Sequence, residues 1–313
     1  MALFNIIPYN TKLDVVGKRF ITFALCAVIT ALSLGSYFTK GLNFGIDFKG
    51  GYIFEVHMPT VPDVPALREK LSSLHLGDVS LQEFGDKQNL LIRVERQAEE
   101  SKEAASVSSS DQEASSQAIK QALGEGVEYR RIETVGPKVG SELIQNALYA
   151  IFYAISAMLI YIAFRFEWQF AVCAVAALLH DCVAIMSLFT LFSLEFNETS
   201  IIAILITAGY SINDTIVIFD RIRENLSKFK KLSIKEVINK SLNETFSRTM
   251  LTATTTLIAL FCLYLFGGQV ISSFSLPILF GIMIGSFSSI FLAAPLLIYL
   301  HKDIKGQEAV TAA

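Results

Sequence analysis

Six stretches of this chain are each long and apolar enough to cross a lipid bilayer, and that constrains its fold more than any other feature. They are residues 20–38, 143–164, 170–192, 200–219, 250–266 and 271–300. A span needs about 20 mostly apolar residues, and in hydrocarbon a backbone without water must satisfy itself as helix. Across 313 residues only 18% are charged and mean hydropathy is +0.49. Such a chain is too apolar for a soluble domain and long enough for several spans plus a compact extramembrane unit. No small-residue cleavage site follows the first stretch, which therefore reads as a retained anchor rather than a signal peptide.

Charge sets the expected topology. Lys12, Lys18 and Arg19 precede the first span, Arg165 follows the second, and Arg221, Arg223, Lys228, Lys230, Lys231, Lys235 and Lys240 follow the fourth. With six alternating spans all fall on one side. The opposite connections, SLEFNET and GGQV, lack Lys and Arg, so the positive-inside rule puts both termini in the cytoplasm. The chain divides into 1–38 (cytoplasmic N-terminus and first span), 39–141 (external α+β domain), 142–300 (spans two to six, with a basic cytoplasmic loop 221–247) and 301–313 (cytoplasmic tail). Cys26, Cys173, Cys182 and Cys262 all lie within spans, which argues against a disulfide framework. A net charge of −3 suggests no nucleic-acid partner, and the basic loop reads as topology signal or lipid contact.

The region between the first two spans is polar and interrupted by Gly and Pro. Strand patterns at 52–58, 79–85, 89–96 and 128–135 alternate with helix patterns at 64–74 and 112–123, which predicts a ferredoxin-like βαββαβ domain. The Ser/Glu/Ala-rich stretch 99–110 reads as a mobile loop. His57 and His75 stand alone, so no metal site is expected. The phosphate-cradling GxxxxGK[ST] pattern is absent, so no ATP site and no cofactor are expected, and the energy for any transport must come from elsewhere.

Asp214 lies within the fourth apolar stretch, where a carboxylate has no bulk water. Even lenient insertion scales charge about 3 kcal/mol for a central Asp, and ionisable residues in spans are functional candidates by default. His180 and Asp181 fall near the middle of the third span as secondary relay candidates. Arg221, seven residues after Asp214 and on roughly the same helical face, is a reserve partner. Gly281 and Gly285 form a Gly-x-x-x-Gly pattern that, with Ser286, Ser288 and Ser289, marks a close-packing face. Gly45, Gly50, Gly51, Gly136 and Gly140 suggest tight or hinging backbone where the domain meets the first two spans, with Asp47 in a structural role. The threonines at 249, 252, 254, 255 and 256 fit either a water file or back-bonding to their own helix. The apolar face of Ile234, Val237, Ile238 and Leu242 is expected along the membrane interface.

Six motifs, taken in order, carry a family resemblance: GIDFKGG (45–51), VGPKVGSEL (135–143), ALLHD (177–181), GYSINDTIVIFDRIREN (209–225), SLNETFSRTMLTATTTL (241–257) and SSIFLAAP (288–295). Together they resemble the SecF family, the smaller membrane subunits of the bacterial SecDF protein-export complex, similar in turn to the RND class of proton-driven transporters. The resemblance implies a non-enzymatic role in polypeptide translocation across the bacterial inner membrane, driven by the proton motive force together with SecD. It implies SecYEG, SecA, YajC and the exported polypeptide as further partners, besides membrane lipids. At the matching positions Asp214 becomes the proton-carrying carboxylate and Arg248 its basic partner. One external domain and six spans make a single repeat of the two-repeat RND plan, so a proton site between halves needs a second chain. The alternatives are half of an RND-like lipid or small-molecule exporter, an intramembrane aspartyl protease using Asp181 and Asp214, and a non-conducting scaffold for SecD.

Overall fold

The computed structural model describes residues 13–84, 86–95, 109–124, 126–135 and 137–300. Gly136, residues 99–108 of the expected loop, and the tail lie outside the described residues, whereas Ser109 and Ser110 open a helix. In chain order the elements are α1 (Arg19–Lys40), β1 (Asn43–Phe44), α2 (Ile46–Lys49), β2 (Gly51–His57), α3 (Val64–Ser72), β3 (Asp78–Phe84), β4 (Asp86–Glu95), α4 (Ser109–Leu123), β5 (Glu128–Val135), α5 (Pro137–Arg165), α6 (Trp168–Leu191), β6 (Glu195–Phe196), α7 (Glu198–Lys228), α8 (Ile234–Phe266) and α9 (Gly268–Ser288). A π-helical turn (Ser289–Ala293) then leads into α10 (Ala294–Leu300). Six helical segments, α1, α5, α6, α7, α8 and α9 through α10, are long and apolar enough to cross a membrane. Two compact units result, one built on the spans and the other comprising residues 43–151 and 195–201.

In the extramembrane unit the four-stranded sheet has the order β3-β4-β2-β5, every pair antiparallel. β4 inserts between β2 and β3, which is the split arrangement the sequence pattern predicts. Alternation explains it: Phe54 and Val56 of β2 and Leu90, Ile92 and Val94 of β4 face one side, where Leu71 of α3 and Ile119 and Leu123 of α4 cover them. Asp63 starts α3 by accepting the Ala66 N–H at 3.3 Å.

The GIDFKGG motif folds as one helical turn between extended pieces. Gly50 at φ 80° and Gly51 at φ 146° adopt backbone that L side chains avoid, and this turns the chain into β2. The connection SLEFNET also contributes structure: its β6 pairs in parallel with β1, and the rings of Phe44, Phe48 and Phe196 cluster at about 6 Å centroid separations. Arg93 of β4 forms an ion pair with Glu195. Asp47 Oδ2 accepts the Glu198 N–H at 3.3 Å, satisfying one of the orphan donors in the first turn of α7. We expect Asp47→Ala to weaken that turn by about 1 kcal/mol. Amide hydrogen exchange there should accelerate roughly fivefold, and an unchanged rate would assign the carboxylate another role.

Within the membrane unit, Phe166, Phe170 and Phe219 pack their rings against one another, with centroids 5.2 Å apart for Phe170 and Phe219. The expected loop 221–247 is instead the ends of two helices, α7 and α8, joined by a turn at 229–233. Ser233 and Glu236 close a capping box that starts α8. The apolar face of Val237, Ile238 and Leu242 is not free for the lipid interface: all three are buried, Ile238 and Leu242 in one cluster with Ile222 of α7 and with Val15 and Val16, and Ile234 packs against that cluster. Hydrogen bonding fixes this arrangement. Asn239 and Asn243, four residues apart on α8, grip the segment before α1: Asn243 Oδ1 accepts from Leu13 N at 2.8 Å, and Asn239 Oδ1 from Val16 N at 3.0 Å. Asp14, held by Gly17 N–H and the Asn239 amide, keeps its carboxyl below the usual carboxylate range.

Candidate functional site

The spans bring two carboxylates into the buried interior of the membrane unit, Asp181 from α6 and Asp214 from α7, at 0% and 3% exposure. Their surroundings differ. Asp181 accepts from His180 Nδ1 at 3.0 Å, from Ser211 Oγ at 2.5 Å and from Ser288 Oγ at 2.8 Å. Among the described residues Asp214 accepts only from Ser286 Oγ, at 3.3 Å. The carboxylates share no hydrogen bond, so they do not form the proton-sharing dyad that aspartyl-protease chemistry requires. The buried His180 ring also interacts with the Cys26 thiol of α1.

Glycine makes these contacts possible. A Cβ at Gly285 would lie 2.8 Å from Ser211 Cβ, and one at Gly281 would collide with the Thr207 side chain, so α9 presses directly onto α7. That approach carries Ser286 and Ser288 to carboxylates on two different helices. The chain then enters the π-helical turn, a form that recurs at functional sites. Ser289 there sits 2.9 Å from Thr215 Oγ1 and 2.8 Å from the Gly285 carbonyl. Sequence reasoning placed these serines on a packing face and missed that Ser286 and Ser288 donate to the carboxylates; the closely spaced hydroxyls of GSFSS, starting at the second Gly of the Gly-x-x-x-Gly, were the available signal.

Arg248 is exposed and lines a cavity of about 810 Å³ formed by the ends of α5, α7 and α8, together with Arg165, Val217, Asp220, Arg221 and Glu244. It makes no ion pair with Asp214 among the described residues. Arg221 is engaged by Glu224 at 2.6 Å and Glu244 at 2.7 Å, which corrects its reading as a reserve partner for Asp214. The threonine run resolves toward back-bonding: Thr252, Thr255 and Thr256 each donate to the carbonyl four residues earlier. Of the glycines expected to hinge, Gly45 and Gly140 serve close approach. A Cβ on Gly45 would meet Glu195 Oε1 at 2.5 Å, and one on Gly140 would meet the Phe48 carbonyl at 2.6 Å.

Six apolar helical segments, an α+β extramembrane domain and two buried carboxylates held by serines define a multi-pass membrane protein with a polar site inside its helix bundle. Residues 115–303 match the family model for the protein export membrane protein SecD/SecF, C-terminal, and residues 36–58 match the SecD/SecF GG motif. The chain belongs to the SecD/SecF family of protein export membrane proteins. It is 39% identical to the protein translocase subunit SecF of Cereibacter sphaeroides, over 96% of this chain and 93% of that one. The corresponding protein of Desulfurispirillum indicum is 44% identical over 88% of each chain. Among solved structures, the SecDF crystal structure from Thermus thermophilus, described as a translocon-associated membrane protein, matches with TM-score 0.81 and 30% identity over 94% of this chain. SecDF in a Super-membrane-facing form matches with TM-score 0.69, 31% identity and 96% coverage. This chain spans only 39% and 40% of those two chains.

Proposed function

We propose that this chain is a Sec protein-export subunit that, joined to SecD, uses the proton motive force to promote polypeptide translocation across the bacterial inner membrane. Asp214 is the carboxylate that takes up and releases the proton. The observation that carries this reading is the contrast between the two buried carboxylates. Three donors tie Asp181, whereas a single long hydrogen bond leaves Asp214 free to exchange a proton or a partner. SecD supplies the missing half: the solved SecDF chains are more than twice as long as this one, and α5 and α8 bury little of their surface within this chain. The basic end of α7 and α8 faces the cytoplasm with both termini, and the chain acts with SecYEG, SecA and YajC on the exported polypeptide without catalysing a reaction of its own.

Supporting a mechanical output, the first turn of α7, the helix that carries Asp214, belongs to the extramembrane unit and is capped there by Asp47. Backbone rotation at Gly50 and Gly51 provides the flexibility. Proton flux into vesicles holding the chain with SecD tests the reading: flux must collapse when Asp214 is made Asn. Unchanged flux leaves a scaffold for SecD as the remaining function. For Arg248, the Lys variant should retain more flux than the Met variant, because a positive charge near Asp214 matters more than the planar fork. Equal flux in the two variants would assign Arg248 to packing.

A further inference from the structure

Every carboxylate and every other arginine lining the cavity beside α8 has an ion-pair partner. Arg165 and Arg223 share Asp220, and Arg221 joins Glu224 to Glu244. Arg248 alone among these lining residues has none, and its side chain is exposed to the cavity. Glu244 precedes it by four residues on α8, so the two share a helical face, in the acid-before-base order that favours pairing. Glu244 is also held open for a further donor. Its Oε2 takes Arg221 Nε and Asn225 Nδ2, both at 2.7 Å, while no donor among the described residues reaches Oε1. The Asn225 amide is itself fixed by Ser241 at 3.0 Å, so Glu244 is a stationary anchor and Arg248 the movable member.

We infer that Glu244 is the alternate docking carboxylate of Arg248: the guanidinium moves to Glu244 when Asp214 is protonated and returns toward Asp214 when that proton leaves. The inference rests on Asp214 carrying the proton, and it makes Glu244 a positioning residue. The exchange converts a change of charge inside the bundle into movement of one long side chain at its cavity end. The groups around Arg248 are Arg165 on α5, Asp220, Arg221, Arg223 and Glu224 on α7, and Glu244 on α8. Asp181 of α6, which Ser211 of α7 reaches, is tied to His180. Lys240, one turn before Glu244 on α8, stacks over the Phe229 ring, so among the described residues lining the cavity the Glu244–Arg248–Asp214 set combines an uncommitted cation with two possible acceptors.

Sign follows from competition. Without Glu244 the cation stays with Asp214 and favours its ionised form, so protonation needs a lower pH. The test follows the Asp214 carboxyl band by infrared difference spectroscopy in the complex with SecD, identified by its loss in Asp214→Asn. Glu244→Gln preserves an oxygen for Arg221 and Asn225. It should move the Asp214 midpoint about one pH unit toward acid, a tenfold change in proton binding. Glu244→Asp, which keeps the charge, should stay near wild type and guards against a folding defect. In an Arg248→Gln background the Glu244→Gln shift should vanish, because a direct field effect of Glu244 persists there and a partner exchange does not. An unmoved midpoint, or an equal shift in both backgrounds, overturns the exchange while leaving Asp214 as proton carrier. A band that never titrates between about pH 4 and 10 overturns both.

Discussion

We expect Asp214→Asn to abolish the proton-dependent part of export while leaving the chain inserted and assembled with SecD. The amide keeps the size of the carboxyl and can still accept from Ser286, which now donates at 3.3 Å, so packing of α7 against α9 is retained and only titration is lost. The scale of the loss follows from what the proton provides. One charge moving through 100 mV releases about 2.3 kcal/mol, enough to bias a two-state element nearly fiftyfold. Without a site that binds the proton, that bias disappears. The measurement is export into vesicles with and without an imposed proton gradient, at matched amounts of assembled complex. Gradient-stimulated export at the wild-type level would remove Asp214 from the mechanism.

The second large effect is structural. Gly285→Leu should prevent the α7–α9 approach, because even its Cβ would sit 2.8 Å from Ser211 Cβ, and the backbone of a span offers no flexible side chain to yield. Overpacking of this kind costs about 1–3 kcal/mol or more. Here it also pulls Ser286 and Ser288 away from their carboxylates, leaving buried charge with fewer donors. We expect the variant to be degraded or strongly destabilised in detergent, with Gly285→Ala intermediate. Wild-type stability in the Leu variant would show that α9 can repack, and that the serine contacts do not depend on glycine.

How the parts became legible depended on the range of the interaction. Spans and the βαββαβ domain were visible in sequence because solvent writes them locally. Hydrocarbon demands long apolar helices, and a half-buried sheet demands alternation as in β2, where Tyr52, Phe54 and Val56 are buried and Ile53 and Glu55 less so. The same local logic failed for the start of α8. Ile238 and Leu242 look identical whether they face lipid or protein, and the segment that clusters with them, with Val15 and Val16, comes from more than 200 residues away in the chain. Arg221 misled for a similar reason: helical spacing put it on the face of Asp214, but Glu244 from another helix claimed it.

Sequence alone determined that this chain belongs in a membrane, where its six apolar spans lie, what its extramembrane domain resembles and which carboxylate to test first. A charge in an apolar run is costly wherever the run ends up, so Asp214 was conspicuous before any fold was known. Tertiary structure alone decided which hydroxyls serve which carboxylate and which arginine of the cavity beside α8 has no ion pair among the described residues. Ser211, Ser286 and Ser288 sit on α7 and α9, Asp181 on α6, and no periodicity within one helix encodes the register between helices. That register is set by where two backbones can touch, at Gly281 against Thr207 and at Gly285 against Ser211.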